Sequence, residues 1–539
     1  MKKIIIVSFV LACITSVFAN RVEFVVDFSK LGNVIGNKVS NYNLWDGLTI
    51  SNKDTSEGTD TSFVEYVQFM QATGGQSSRE LFNDPLNFAI RNDYNFTRLI
   101  NACKIAINNK LIPHIKFSIP QKLANSKTKG GFGMNPYPPD NYDEWYAYVS
   151  AICTELVKNF GKDEVSKWRF GVLTEFDNKS WFVAKSGDVE ETKQAYFKLY
   201  DYTVDALQKI VSKDVCVGAH AMRANCSFWD ATELLDHCAN GKNYKTGKTG
   251  THIKFFAVSY YDTNIRSVSY ESLGHIVYNI RKKAESLGLK LFYGVDEGRI
   301  LYGLSKGKNV ADLNSRIVGN TYQAAYEIRI AKEMADFDID YFSSWGYSAG
   351  NPFGSYPHIS YYSAQAVGKL KNAKRAQTHR TIRKYIVGEA DVLAGFDEQQ
   401  KIAHILAYSI QRDPNAKSVH DYTFKIYLPQ FANKEVKLSI LKIDDSANYW
   451  LKFRQDCKTH SIKDTDFSWS PDSVQLDSKR NWLNPEQYNF YKKQLRPQYV
   501  KMSQISPTTS ILKVGTNGYL EIKENIPENS ALYISVCHK

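Results

Sequence analysis

The sequence predicts an α/β fold, a (β/α)8 barrel followed by a C-terminal β-sandwich, and three observations carry that prediction. From Val39 onward, apolar runs of strand length alternate with amphipathic stretches of helix length, the pattern of parallel strands joined by crossover helices. Two of these runs, Trp168 to Leu173 and Lys290 to Val295, end abruptly in acids, one in Thr174-Glu-Phe-Asp177 and the other in Asp296-Glu297. A run covered on both faces reads as a barrel strand, and a parallel barrel carries its chemistry at the carboxyl ends of its strands. Beyond about residue 380 the helical pattern stops and strands follow one another directly.

The first barrel strand is expected at Val39 to Trp45, before a polar loop through Thr61, and the second at Tyr66 to Ala72, before Gly74-Gly75. An amphipathic helix from Thr97 to Asn109 leads to the third strand, Ile112 to Ile119, which Pro120 closes. The Gly/Pro-rich stretch Lys129 to Asp140 is a long loop at the active face, and the helix Tyr142 to Phe160 feeds the strand that delivers Glu175. Helix Thr192 to Val211, strand Val215 to Ala219, strand Phe255 to Tyr260 and helix Tyr270 to Ser286 precede the strand that delivers Glu297. Helix Ala311 to Met334 and strand Tyr341 to Trp345 complete eight strands, and a last helix lies near Tyr361 to Asn372. Sandwich strands are expected at Tyr385 to Leu393, Lys401 to Ser409, Tyr422 to Leu428, Val436 to Ile443, Leu520 to Glu524 and Ala531 to Val536, with a helix at Pro485 to Gln494.

A chain of 539 residues exceeds one ordinary domain. The expected division is a signal peptide over 1–19, a barrel over 20–379 and a sandwich over 380–539, with Val22 to Phe28 a short strand open to either unit. Met1 to Ala19 carries two lysines, an apolar run too short to span a bilayer, and small residues before a cut after Ala19, so the mature protein is expected to be exported. Val10-Leu-Ala-Cys13 weakly resembles a lipoprotein cleavage box, the alternative to ordinary cleavage. No later segment is long and apolar enough to be transmembrane.

The net charge of +12 comes from scattered lysines, and no basic block interleaved with aromatics appears, which argues against nucleic acid as a partner. Of eight cysteines, Cys13 leaves with the signal, and the odd remainder leaves at least one free thiol. Cys457 and Cys537, in polar or strand-edge settings of an exported chain, are the expected disulfide. No Cys or His pair has zinc-ligand spacing, so neither a metal nor a cofactor is expected. Sequons occur at Asn95, Asn178 and Asn225, and a glycan on Asn178 falls three residues from Glu175.

Two glutamates on the fourth and seventh strands aim into one cleft, the arrangement glycosidic bond cleavage needs. Cleavage with retention uses one protonated carboxyl and one ionised nucleophile about 5–5.5 Å apart, and burial with mutual repulsion raises the pKa of the acid. Glu175 is therefore read as acid/base and Glu297 as nucleophile, with Asp177 and Asp296 as supporting or capping acids. Tyr260, ending strand six, is placed to donate to Glu297, Trp345 to floor a sugar ring, and His220 to bind a hydroxyl. Aromatics at 13% of the chain, including 34 Tyr and 29 Phe, supply faces on which sugar rings stack, which makes an oligosaccharide or polysaccharide glycan the expected partner.

At these residues the chain resembles glycoside hydrolase family 39 of the retaining barrel clan A. The resemblance is carried by Tyr94-Asn-Phe-Thr97, Leu111-Ile-Pro113, Val165-Ser-Lys-Trp-Arg-Phe170, Thr174-Glu-Phe-Asp177 and Tyr196-Phe-Lys-Leu-Tyr-Asp201. Its layout is similar to the alpha-L-iduronidase and beta-xylosidase group, with Leu234-Leu-Asp-His-Cys238 before strand six and Ser530-Ala-Leu-Tyr-Ile-Ser-Val-Cys537 like the iduronidases' closing strand. The resemblance implies a barrel with a sandwich, double displacement, and the same two roles for Glu175 and Glu297. The chain departs from the pattern in three places. Thr174 stands where family members have the Asn that binds the sugar 2-hydroxyl. Met70, Gln71 and Ala72 replace the basic residue of strand two. The iduronidases' uronate-binding lysine falls near Asp262. Xylose-like or other neutral sugars are thus the leading substrates for an exo-acting enzyme, and the rival reading is a catalytically weakened barrel that binds carbohydrate without cutting it.

Overall fold

The computed structural model describes residues 21–44, 62–69, 81–84, 87–131, 134–222, 227–262, 272–300, 321–344, 357, 359–382, 388–411, 416, 418–461 and 485–539. The first strand, β1 (Arg21–Val34), belongs to a sheet outside the barrel. The barrel follows as β2 (Asn41–Leu44), β3 (Tyr66–Phe69), β4 (Ile112–Phe117), β5 (Arg169–Val172), β6 (Cys216–Ala221), β7 (Phe255–Asp262), β8 (Phe292–Ile300) and β9 (Tyr341–Ser344). Each pairs in parallel with the next, and the Tyr42 to Ser344 pairing of β2 with β9 closes the ring.

Strand alternation sorts the side chains. Ile115 and Phe117, Phe170 and Val172, and Val217 and Ala219 face outward into one apolar cluster with the surrounding helices. Among the helices are Tyr142–Phe160, capped by the Asn141 side chain, and Val189–Ile210, capped by Asp188. Residues that touch across non-neighbouring strands do so through the barrel interior. The guanidinium of Arg169, the one charge in its run, lies 4.3 Å from the ring centres of both Tyr66 and Tyr341 and 5.0 Å from that of Phe292. These faces accept the cation where water is excluded, and the layer closes the barrel below the site.

The remaining strands are β10 (Lys374–Ile382), β11 (Glu389–Asp397), β12 (Ile402–Ile410), β13 (Val419–Tyr427), β14 (Glu435–Ile443), β15 (Thr508–Lys513), β16 (Tyr519–Pro527) and β17 (Ser530–His538). With β1 they form one nine-stranded sheet in the order β15-β14-β17-β12-β11-β10-β1-β13-β16, not two separate sheets. The seam between β10 and β11 is only Lys374 with Phe396 and Arg375 with Gly395. Residues from both sides of that seam, Phe24, Phe424 and Ile522 on one and Ala394, Ile405 and Ile534 on the other, share one apolar cluster, so the sheet curls over its own filling in a sandwich-like way. The opposite face of β12 and β17, through Leu406, Tyr408 and Tyr533, packs on the barrel's helices.

Several elements differ from expectation, among them the unforeseen helices Glu233–Asn240 and Arg496–Ser503. Strand β10 begins at Lys374, inside the stretch assigned to the barrel, and β15 was not foreseen because five of its six residues are exposed. Tyr449–Thr459 is a helix, and it carries Cys457. The expected disulfide is corrected accordingly: Cys537 is a free thiol on β17, paired across the sheet with Ile402 and Lys437. The signal segment, Asn225 and Trp345 lie outside the described residues, and among the described residues no helix is long and apolar enough to cross a membrane.

Candidate active site

Glu175 stands just beyond β5 on a turn in which both Leu173 and Glu175 adopt left-handed backbone, with φ of 62° and 46°. A non-glycine residue there costs on the order of 1–2 kcal/mol, so packing must hold it. Phe176 supplies that hold, stacking on Tyr196 at a centroid distance of 4.1 Å, while the Tyr196 hydroxyl donates to the carbonyl of Val172 at 2.9 Å. Asp177 Oδ1 accepts from the Met222 backbone N–H at 2.6 Å, tying the turn to the segment after β6, a supporting role as expected.

Glu297 reaches the interior by a different device. Simple alternation from Gly294 and Asp296 would send it outward toward the helices. The register breaks on both sides of β8, between Val258 and Ser259 of β7 and between Val295 and Gly298 against β9, and this irregularity turns both Asp296 and Glu297 inward. The freed Asp296 carbonyl accepts from Gln68 at 2.8 Å and Asn43 at 3.2 Å.

The two glutamates meet: one carboxylate oxygen of each, with one ring nitrogen of His220, all lie within 4.8 Å of one another. Glu175 Oε1 accepts from the Ser259 hydroxyl at 2.6 Å, and its Oε2 from Asn178 Nδ2 at 3.0 Å. Glu297 Oε1 accepts from the Tyr261 hydroxyl. Enclosure by protein, then repulsion from Glu175, pushes the Glu297 carboxyl up to about 8 against the pull of Tyr261 and Lys116. Two carboxyl groups this close titrate together, so that raised value describes the pair.

Under the pair lies a buried ion pair. Lys116 Nζ is 3.0 Å from Asp296 Oδ2, both side chains wholly inaccessible. Desolvation works against the Asp296 anion, yet the Lys116 ammonium and the Tyr341 hydroxyl hold its pKa below the ordinary value. Lys116 also meets His220 Nδ1, and His220 Nε2 lies 2.8 Å from Ser259 Oγ.

Two expectations about supporting residues are corrected. Tyr260 does not reach Glu297; its neighbour Tyr261 does. Ser259 and Tyr261 share the inward face of β7, whereas Tyr260 faces the apolar layer under the helices. His220 is not presented to a ligand, because it is fully buried with both nitrogens engaged, and this also argues against a metal at Glu175, His220 and Glu297 beside the Lys116 ammonium. Thr174 is 3% exposed, and its hydroxyl makes no hydrogen bond among the described residues. Ser259, Tyr261, Asn178 and Lys116 escaped sequence reasoning. A lysine inside the run Ile112 to Phe117, apolar but for it and His114, was the one legible signal, since a strand covered on both faces does not bury an unpaired charge.

Comparisons with known proteins bear on the family and the fold. A profile of glycosyl hydrolases family 39 matches residues 81–405, which spans β4 to β11 and both glutamates. The chain belongs to glycoside hydrolase family 39. It is 25% identical over 283 residues to a beta-xylosidase of Caldicellulosiruptor saccharolyticus, covering 49% of this chain and 52% of that one. With an alpha-L-iduronidase of Mus musculus it shares 26% identity over 170 residues, 31% of this chain and 24% of the other. The match to these curated relatives thus spans about half of the first and a quarter of the second. Among solved structures, the family 39 enzyme from Xanthomonas axonopodis pv. citri superposes with a TM-score of 0.64 at 15% identity, covering 96% of this chain and 97% of that one. A beta-xylosidase from Caulobacter crescentus gives a TM-score of 0.63 at 14% identity, covering 96% and 99%. At such identities these structures speak for the fold of this family 39 chain.

Proposed function

We propose that this family 39 chain is an exported, retaining, exo-acting O-glycosidase that cleaves a glycan by double displacement, with Glu175 as acid/base and Glu297 as nucleophile. The observation that carries the reading is the approach of one oxygen of each carboxylate to within 4.8 Å of the other across the barrel mouth, which supports the short separation that retaining enzymes use. The pair holds one proton, and its two arrangements differ only in which carboxyl carries it. Positive charge developing at the anomeric carbon favours the arrangement with Glu297 ionised and Glu175 protonated beside the leaving oxygen. Glu297 then forms the glycosyl ester while Glu175 gives its proton to the departing alcohol, and Glu175 takes a proton from water when the ester is hydrolysed.

The unpartnered Thr174 hydroxyl supports a sugar hydroxyl as its partner. Relatives described as beta-xylosidase and alpha-L-iduronidase support a pentose or uronic acid glycone, and the departures at Met70, Gln71, Ala72 and Asp262 favour the neutral sugar. Export rests on Met1 to Ala19. A panel of aryl glycosides tests the proposal. Glu297→Ala is expected to lower kcat by about 10⁴-fold or more, and azide to restore turnover in Glu175→Ala, whose loss of general acid is on the order of 10²–10⁴-fold. An activated fluorosugar should label Glu297, and a label on any other residue rejects the assignment. The second reading, carbohydrate binding without cleavage, is favoured by Thr174 in the position before the acid, and glycan binding with no turnover of any glycoside would establish it.

A further inference from the structure

We propose that Lys116 is a positioning residue that fixes the direction of a hydrogen-bond chain through His220 and Ser259, so that Ser259 always donates to Glu175 Oε1 and the acid's proton is confined to Oε2. The inference rests on Glu175 being the acid/base and adds which of its oxygens meets the leaving group. An ammonium has three donors and no lone pair, so the ring nitrogen facing it, His220 Nδ1, must be bare. A neutral imidazole with Nδ1 bare carries its hydrogen on Nε2, and that N–H points at Ser259 Oγ at 2.8 Å. Having accepted there, the Ser259 hydroxyl has Glu175 Oε1, 2.6 Å away, as its acceptor. Each link leaves the next a single orientation.

Burial lowers the Lys116 pKa from its ordinary value, and the Asp296 carboxylate 3.0 Å away opposes that loss, so the chain starts from the ammonium form. Lys116 is paired with Asp296, which stays ionised, and His220, enclosed beside the cation, is held well below the ordinary histidine range and is neutral. Lys116 faces Asp296 and Glu297 from β8, Glu175 from the end of β5, His220 from β6 and His114 on its own strand, with Tyr341 of β9 on Asp296 and Arg169 one layer below. Gly171 makes room for it: a Cβ there would stand 3.1 Å from Lys116 Cγ. A protonated carboxyl oxygen is the weaker acceptor. A Ser259 hydroxyl that always donates to Oε1 therefore leaves the proton to Oε2, whose Asn178 partner is at 3.0 Å. Apolar side chains would fill a barrel interior at lower desolvation cost than a buried ion pair, so the pair is explained by what it orients.

Ser259→Ala tests the chain without disturbing the buried charges. It should lose about 10–100-fold in kcat/KM on aryl glycosides with poor leaving groups and less than about threefold on a dinitrophenyl glycoside, which needs little acid. Losing a donor to the carboxylate destabilises its anion, so the alkaline limb of kcat/KM should move to higher pH. A uniform loss across leaving groups with an unmoved limb would overturn the chain while leaving Glu175 as acid/base intact. The second readout needs no turnover: ¹⁵N spectra of histidine-labelled protein should show His220 as the Nε2–H tautomer, and Lys116→Met combined with Asp296→Leu should release it. An Nδ1–H signal in the unmodified protein rejects the proposal. Wild-type protein inactive on every glycoside would instead reject the acid/base reading on which it rests.

Discussion

Lys116 and Asp296 face each other at 3.0 Å from opposite walls of the barrel, and neither side chain is reached by solvent. The pair sits directly beneath Glu175 and Glu297, so the site's electrostatics and the barrel's stability depend on the same two residues. Removing one partner strands the other charge. Asp296→Ala should cost about 3–5 kcal/mol in urea unfolding, and Lys116→Met combined with Asp296→Leu should recover most of it. Asp296 is held ionised below its ordinary range, so its contribution is present at neutral pH and lost only as pH falls through that lowered value in acid. Equal destabilisation by the single and double variants would contradict the pairing.

The shared proton sets the pH behaviour. Glu297 is pushed up to about 8, so kcat/KM should fall on an alkaline limb near that pH as the pair loses its last proton. The folded protein holds a proton there that the unfolded chain releases above its ordinary value of 4.5, so ionisation costs stability progressively as pH rises from 4.5 through about 8. Glu297→Gln removes that cost. Its melting temperature should exceed the wild type's by roughly 2–4 °C at pH 8 and by little at pH 5, as calorimetry can read.

Tyr261 and Tyr260 are adjacent and point to opposite faces. Tyr261→Phe removes the donor on Glu297 and should lower kcat/KM about 10–100-fold, the value of one hydrogen bond to a charged group. Tyr260→Phe should leave kinetics within about twofold. The reverse ranking in steady-state assays would restore the assignment made from strand ends alone.

Gly294 gives Tyr341 its place. A Cβ at 294 would lie 2.2 Å from the Tyr341 ring, inside any tolerable contact. Gly294→Ala should destabilise by about 1–3 kcal/mol and, by moving the hydroxyl off Asp296, also lower kcat. Unchanged denaturation would show that the ring has room to move.

The Asn178 amide is committed to Glu175 Oε2, and its carbonyl oxygen accepts from the Ser180 backbone at 3.0 Å. Glycopeptide mass spectrometry after expression in a glycosylating host should find Asn178 unmodified. A glycan at that amide in active enzyme would contradict the bond.

The barrel was legible because its strands are apolar runs buried on both faces and its helices are amphipathic, patterns local in the chain. Glu175 and Glu297 were legible for the same reason, since an acid at the end of such a run stands out. Strand β15 was missed because five of its six residues are exposed, so it has no buried stripe of its own. Placing Tyr260 on Glu297 assumed regular alternation from strand ends, and His220 was placed to bind a hydroxyl because a sequence does not tell where its ring nitrogens are already spent.

What the sequence determined by itself is what neighbours along the chain can encode: the parallel barrel, the following sheet, and the two strands that deliver acids. Only the tertiary structure decided that Glu297 turns inward, because the register break on β8 is set by pairing with β7 and β9. It likewise decided that Lys116, Asp296, His220 and Ser259 form one chain, because their hydrogen bonds join four different strands. The physical reason is range. Periodicity reports which face a side chain takes, whereas charge pairing and hydrogen-bond direction depend on groups that only closure of the barrel brings within about 3 Å.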